Sequence, residues 1–441
     1  MRIALFEDQQ VANFSPIALL RPVFELRCGH FTARERIEQT LPIQEWGGLI
    51  RPWLEETYRA LHPDARINDE AWLAQRPTLL VNGRWLGDPR TLTHVDAGRV
   101  GIVDEQVAWI VVSPDEAVLI DANAPSDGIE QLARTRKPID AGGRLVAHPW
   151  DLVHHNGRQL TTDYQLRSRA QHPVGSTPQF AIQGSLQDVH IDLTAEIDPY
   201  VVIDVRRGPV WIDGGVRLLP FTRIEGPCFI GRETQVFRAH VREGTSIGPV
   251  CRVGGEIEES ILHGFANKYH DGFLGHSYVC PWVNLGALTS NSDLKNDYSH
   301  VSVPVAGASV DTGSTKVGCF IGDHTKTALG TLFNTGSSIG VMTMLLPGGE
   351  LLPKHVPSFS RLWHGELQPL PEGIGPSVEI ARTAMARRNR ELTPAMERLL
   401  QEVCRQTEAE RQRAFARAKG QPQVAARSAD SGSRLTAGEL T

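Results

Sequence analysis

The chain has 441 residues, 41% of them hydrophobic and 22% charged, with a formal net charge of −6. That length allows roughly two or three domains with full cores, and the mild acidity excludes a dedicated nucleic-acid binder, which would carry a basic face. No apolar run approaches the roughly 18 residues of a membrane span. Glu7 and Asp8 arrive too early for a secretory leader, so a cytoplasmic protein without membrane or nucleic-acid partners is expected. Six widely spaced cysteines with no CxxC pair read as reduced, mostly buried thiols.

Residues 1–175 read as mixed α/β. Ile3–Phe6 is a short apolar run suited to a strand, and Ala33–Leu41 mixes charged and apolar residues at helical spacing. Leu79–Val81 is a second buried-strand candidate, ending in the turn signal Asn82-Gly83. Ala108–Val112 and Ala117–Ile120 are expected to be further strands. Strands separated by helical stretches point to an α/β domain.

Residues 176–355 change character. Ile224, Ile230 and Val236 recur at intervals of six, as do Val241, Ile247 and Val253. Ile321, Phe333, Ile339 and Leu345 form a third run, with Thr327 at the missing step. Glycine follows the apolar position at Gly231, Gly248, Gly254, Gly322 and Gly340. A period of six cannot be an amphipathic helix, which repeats at 3.6. It fits a parallel β-helix of three flat faces, one hexapeptide per face, with the apolar residue pointing inward.

The open ends of such a coil need covering. Residues 376–420 supply helices: Val378–Arg390 is helical in pattern, and Thr393-Pro394 is an N-cap followed by proline at the first helical position. Met396, Leu399, Leu400 and Val403 then form one apolar face. Residues 421–441 are polar and are expected to be disordered.

The stretch that carries chemistry lies at residues 263–300. His263, His270 and His276 fall close together among asparagines, a lysine and tyrosines, a polarity that a coil core does not need. The run His270-Asp-Gly-Phe273-Leu-Gly275-His276, followed by Val283-Asn284-Leu-Gly-Ala287, resembles the acetyltransferase half of the bifunctional N-acetylglucosamine-1-phosphate uridyltransferase / glucosamine-1-phosphate N-acetyltransferase family. The resemblance implies a left-handed β-helix, a homotrimer with its site between adjacent prisms, and acetyl-CoA as donor. It implies His270 as general base, since an imidazole with a pKa of about 6.5 can take the proton of an attacking amine near neutral pH. Asn284 would contact the sugar or the acyl group, Arg242 a phosphate, and Lys295 and Tyr298 the sugar phosphate. Asp323 and Lys326 fall where relatives bind the coenzyme A arm. The family's tyrosine and aspartate in this motif are Phe273 and His276 here, and a lysine expected near Glu258-Glu259 is missing.

The family's front half is a nucleotidyltransferase with a glycine-rich phosphate loop. Here Ser15-Pro-Ile-Ala-Leu-Leu-Arg21-Pro22-Val-Phe-Glu25-Leu-Arg27-Cys-Gly29 stands in its place, resembling divergent sugar nucleotidyltransferases fused to β-helices. Arg21, Glu25 and Arg27 are its candidate nucleotide contacts. Asn82 stands where the common enzymes place a magnesium-binding aspartate, and Asp151 is either a spare carboxylate or a helix N-cap. Mg2+ would be needed if this domain transfers a nucleotidyl group. The sequence therefore leaves open three readings: a bifunctional acetyl- and uridyltransferase using sugar phosphate and nucleotide, a single-activity sugar acyltransferase with a degenerate front domain, and a non-catalytic trimeric scaffold that binds sugar nucleotides.

Overall fold

The computed structural model describes residues 1–167 and 180–420; the tail expected to be disordered, 421–441, lies outside them. The front domain is built on seven strands: β1 (Arg2–Phe6), β2 (Glu45–Leu49), β3 (Arg66–Ile67), β4 (Thr78–Asn82), β5 (Arg99–Val103), β6 (Gln106–Val112) and β7 (Lys137–Asp140). Their order in the sheet is β3-β2-β1-β4-β6-β5-β7. The chain winds outward from β1 through β2 to β3, then returns to place β4 on the other side of β1, parallel to it. β6 runs antiparallel to β4 and β5. Burial of Ile3, Leu5, Leu79 and Val81 on one side and Ala4, Phe6 and Leu80 on the other explains the continuous apolar runs, as both faces are covered.

Helix α1 (Ala33–Thr40) starts at a capping box in which Thr32 and Glu35 satisfy each other's backbone N–H, and α2 (Glu55–Leu61) follows β2. Ala117–Ile120 is not a strand: Ala117–Leu119 is a single 3-10 turn. Ala117 and Ile120 turn inward while Val118 is 83% exposed. Glu116 accepts from the Ser113 N–H and hydroxyl and closes the turn, so the short apolar run never alternates across a sheet.

Helix α3 (Pro149–Arg167) leads to the coil. The first face of the coil stacks nine parallel strands from Val189–Ile191 to His355–Val356. Cys228 pairs with Thr245 and Cys319 with Ser337, about one three-hexapeptide rung apart. The second face includes Gln235-Val236, Arg252-Val253, Asn267–Lys268, Asn284, Lys326–Thr327 and Met344–Leu346 in register. The third includes Val202–Asp204, Arg223–Glu225, His240-Val241, Glu256–Glu258 and Phe273–Gly275. Every apolar residue of the six-residue repeat, from Ile224 to Leu345, is buried in one core inside the prism, and Thr327 occupies its step as a buried hydroxyl.

Between Tyr278 and Phe320, adjacent on the first face, the chain makes an excursion carrying an antiparallel hairpin, Ser302–Val305 with Ala308–Asp311. Val301, Val303 and Val305 pack there against Phe14, Ile17 and Trp150, so the excursion wedges between coil and front domain. Helix α3 covers the first face: Leu160 and Tyr164 pack on Trp211 and Phe229, and Asn156 accepts from the Gly29 N–H and donates to the Gly244 carbonyl.

The last coil edge is closed by Glu366–Pro369, antiparallel to Ser360–Trp363. Helices α4 (Gly375–Ala386), α5 (Pro394–Gln406) and α6 (Glu408–Gly420) follow. Thr393 caps α5 by accepting from the Met396 N–H. Leu399, Leu400 and Val403 share a core with Leu54 and Tyr58 of the front domain and Met342 and Phe359 of the coil, so the C-terminal helices bind the two bodies to each other. All six cysteines are free thiols.

Candidate functional site

The three clustered histidines separate by environment. The His263 ring nitrogen lies 2.7 Å from the Glu25 carbonyl, and the side chain is half-buried. His276 is buried, with Nδ1 2.8 Å from Asp293 and Nε2 3.2 Å from Glu259. Burial opposes its charge, but its hydrogen bonds to the two carboxylates outweigh burial and push the imidazole up to about 9. His270 is exposed, and among the described residues its ring touches only the edge of Tyr269, at 6.0 Å between centroids. It stands on the corner between the second and third faces. Gly272 holds this corner at φ +130°, where a Cβ would lie 2.1 Å from the Thr289 carbonyl of the next rung; the close approach of the two rungs requires glycine.

Beneath that corner lies a residue the sequence reading missed. Lys268 occupies an inward position, between Val253 and the following Leu285, and is 3% exposed. Its ammonium donates to the carbonyls of Gly254 (3.1 Å) and His270 (2.8 Å), tying down the turn that bears His270. Burial lowers its pKa to about 8, Asp271 opposing the shift.

Asn284 and Lys326 meet as neighbours on the second face, brought together across the excursion. Asn284 accepts from the Asn267 amide. Lys326 donates to the Trp282 carbonyl at 2.6 Å, and burial lowers its pKa to about 8. These side chains line a groove of about 480 Å3 whose other wall is helix α4 and the turn after it.

Arg242 lies near the far end of the third-face strand from the His270 corner. Its guanidinium is held by Glu258 at 2.6 Å and Glu256 at 3.5 Å. Lys295 and Tyr298 sit on the excursion, Lys295 bonded to Ser299 and the His300 carbonyl, and Tyr298 is exposed. Within one chain these three are not gathered with His270.

In the front domain, Arg21, Glu25 and Arg27 line a cavity of about 350 Å3 between front domain, coil and C-terminal helices. Arg21 forms a two-pronged ion pair with Asp323 of the coil. Glu25 is taken by Arg34, Tyr58 and Thr32. Arg27 bonds the His30 carbonyl, lies 3.5 Å from Glu35, and leaves its buried Nε without a partner. Asp151 is a cap, accepting from the N–H groups of Ala147 and His148.

A second front-domain cleft of about 580 Å3 opens at the carboxyl ends of β1 and β4, where the winding of the sheet reverses. Open α/β sheets bind ligands at such switch points. Asp8, Gln10, Asn82 and Gln106 line it. Arg84, fully buried, clamps Asp8 with two guanidinium nitrogens and also reaches Gln106. Arg84 carried no sequence signal because its partner lies on another strand end. Asp8 at these strand ends is thus neutralised by Arg84, as Glu7 beside it is by Arg51, and among the described residues no group of three or more His, Cys, Asp or Glu side chains is placed to hold a metal ion. With Glu7 and Asp8 both held by arginines, the end of β1 offers no free carboxylate to a magnesium ion.

Residues 3–172 match the family model described as "Sugar nucleotidyl transferase". The chain is similar to a bifunctional sugar-1-phosphate nucleotidylyltransferase/acetyltransferase of Sulfurisphaera tokodaii, at 32% identity over 21% of this chain and 23% of the relative. It is similar to the uncharacterized acetyltransferase YaiX of Escherichia coli O6:K15:H31 strain 536, at 28% identity over 36% of this chain and 65% of the relative. The matched stretches thus span less than two thirds of either curated relative. A solved UDP-N-acetylglucosamine acyltransferase from Arabidopsis overlaps 55% of this chain and 93% of its own, at 13% identity and a TM-score of 0.21. No described helix is long and apolar enough to cross a membrane. The chain therefore joins a sugar nucleotidyltransferase-like domain to a hexapeptide-repeat β-helix, and has homology to bifunctional sugar-1-phosphate nucleotidylyltransferase/acetyltransferases.

Proposed function

We propose that the chain is a sugar acyltransferase whose coil moves an acetyl group from acetyl-CoA to the amine of glucosamine 1-phosphate. The observation that carries this reading is the sorting of the histidines: His270 is exposed and unclaimed, while its two neighbours are held by structural partners. The amine nitrogen attacks the thioester carbonyl as the His270 imidazole takes its proton. The carbon–sulfur bond then breaks, and the thiolate leaves to be protonated. Lys268 fixes the turn on which His270 stands. The similarity to proteins named acetyltransferases supports the same reaction class.

The working unit of this proposal is a homotrimer. Tyr200 and Phe221 stack at 5.6 Å on the same corner as His270, both largely exposed, and Leu288 continues that edge exposed. Large apolar side chains exposed at both ends of one prism edge suit a surface covered by a partner. A neighbouring prism there would enclose His270 and bring a second subunit's arginines within reach of the sugar phosphate.

For the front domain, sugar-nucleotide binding is the reading we favour, with coupled formation of UDP-N-acetylglucosamine as the fuller version. Binding without catalysis is supported by the Arg84–Asp8 clamp, which neutralises the carboxylate of Asp8 at the switch point. The deciding experiment is thiol release from acetyl-CoA with glucosamine 1-phosphate, beside pyrophosphate release from UTP with N-acetylglucosamine 1-phosphate. Thiol release alone identifies a single-activity acyltransferase, both together a bifunctional enzyme, and neither overturns the catalytic reading.

A further inference from the structure

At the corner that bears His270, three successive rungs of the coil turn with different numbers of residues. In the first, Phe237 and Ala239 pair with Gly254 and Gly255 of the second, so Arg238 is one residue extra and bulges from the corner. In the third, Lys268 pairs with Val253 and Phe273 with Glu256, while Tyr269 and Gly272 lie against Gly254 and Gly255. His270 and Asp271 are therefore the extra residues there. The middle rung has no bulge and turns on its two glycines. At Gly255, φ +72°, a Cβ would lie 2.7 Å from the Gly272 carbonyl oxygen, so the middle rung stays bare. The corner is thus notched, with Arg238 on one lip and His270 and Asp271 on the other. Two strand spacings separate the lips by about 10 Å along the coil.

The lips are braced and carry opposite charges. Phe237 and Tyr269, on either side of Gly254, stack at 5.1 Å. The Arg238 guanidinium lies over the Phe237 ring at 4.8 Å, and the His270 ring meets the edge of Tyr269. Arg238, His270 and Asp271 are exposed. Among the described residues neither the Arg238 guanidinium nor the Asp271 carboxylate has a hydrogen-bond or ion-pair partner. Arg242, to which the family resemblance points for a phosphate, stands otherwise. Glu243, Glu256 and Glu258 all lie within 4.0 Å of its guanidinium, and Lys316 reaches only Glu258 of the three. That surplus of carboxylates repels a phosphate, while Arg238 is free to take one.

We infer that the notch recognises its acceptor as a zwitterion, Arg238 taking the phosphate of an amino sugar phosphate and Asp271 its ammonium, so that the nitrogen is delivered to His270. Arginine suits the first task because its planar fork matches phosphate oxygens, and the Phe237 ring steadies the guanidinium. The ammonium gives one proton to solvent before it attacks and a second to His270 as it does. Arg238 thereby takes the place of Arg242, which remains an ion pair of the coil. A sugar that lacks either the phosphate or the amine leaves one lip unpaired, so the notch selects for both charges. The inference rests on the acyl-transfer reading for what becomes of the bound sugar, while binding of the zwitterion stands on the charges of the notch.

The test is calorimetric titration of the full chain, with coenzyme A present, using glucosamine 1-phosphate and N-acetylglucosamine 1-phosphate, whose nitrogen carries no charge. Arg238→Gln is expected to weaken both ligands about tenfold. Asp271→Asn is expected to weaken glucosamine 1-phosphate about tenfold and to leave the N-acetylated phosphate unchanged. Both side chains are exposed, so unchanged thermal midpoints are expected beside these losses. Phosphate binding that is equal in wild type and Arg238→Gln overturns the inference and leaves acyl transfer standing. Binding kept in Arg238→Gln but lost in Arg242→Gln likewise overturns it and returns the phosphate to Arg242. The expected pattern in a protein that never releases thiol from acetyl-CoA upholds the notch and removes the acyl-transfer reading. No binding of either phosphate to the wild type overturns the notch.

Discussion

Arg21 and Asp323 lie 302 residues apart and close a two-pronged ion pair across the boundary between front domain and coil. Both side chains are nearly excluded from water. Asp323 holds the guanidinium well above its ordinary pKa even though burial opposes the charge. Breaking a pair of this kind strands a buried charge, at about 3–5 kcal/mol. Arg21→Ala is expected to lower the thermal midpoint and to separate front-domain and coil unfolding into two calorimetric transitions. Arg21→Met with Asp323→Leu, which removes both charges, is expected to recover most of the loss. A single unchanged transition in Arg21→Ala would show that the pair does not couple the bodies.

His270→Ala is expected to reduce acetyl transfer by about 10²–10⁴-fold, the usual worth of a positioned general base. Coenzyme A affinity is expected to stay within twofold, since a general base acts on the acceptor amine and not on the donor's nucleotide. Steady-state kinetics beside calorimetry separate the two, and loss of affinity in this variant would place His270 in binding.

Lys268→Met keeps most of the buried stem but leaves two carbonyls without a donor, at about 1–3 kcal/mol. The expected signature is a fall in kcat with KM for the donor little changed, because the turn under His270 loosens while the groove is intact. A fall in stability with no change in kcat per folded molecule would confine Lys268 to packing.

His276 gives the coil a pH signature. Its folded pKa of about 9 exceeds the ordinary 6.5, so its contribution is complete below pH 6.5 and is lost as pH rises through about 9. Asp293 and Glu259, held below their ordinary 3.8 and 4.5, contribute above those values and lose their share as pH falls below them. Lys316 adds positive charge nearby. Stability from this cluster is therefore expected to be greatest between about pH 4.5 and 6.5. His276→Asn is expected to flatten the alkaline limb of a denaturant-midpoint profile from pH 6 to 10. An unchanged limb in the variant would assign the slope to other groups.

If the proposed trimer closes on this edge, Tyr200→Glu with Phe221→Arg is expected to give monomers in sedimentation equilibrium and to remove acyl transfer without unfolding the coil. Retention of a trimer by this variant would move the subunit contact to another edge.

What the sequence disclosed depended on range. The coil was readable because its rule repeats: Ile321, Phe333, Ile339 and Leu345 obey one period, and the same inward step accepts even a threonine at Thr327. Lys268 escaped because it breaks that rule from inside, its long stem serving as the apolar residue and its head reaching two carbonyls. Ala117–Ile120 misled because four apolar residues are too short to distinguish a strand from a tight turn. His270 and Asn284 were legible as a local motif. The pairing of Arg21 with Asp323, the meeting of Asn284 with Lys326 across the excursion, and the approach of Arg388 to Arg252 are products of folding, between segments with no sequence relationship.

Helix α3 has a consequence for how this gene can be cut and recombined. By sequence it ends the front domain, yet Leu160 and Tyr164 bury Trp211 and Phe229 on the coil, and Asn156 is bonded to Gly29 on one side and Gly244 on the other. The unit that is inherited and the unit that folds therefore have different borders. A coil expressed from its first strand onward would carry a bare aromatic face into solution. A front half borrowed from a relative would need to bring this helix, and the face it fits, together.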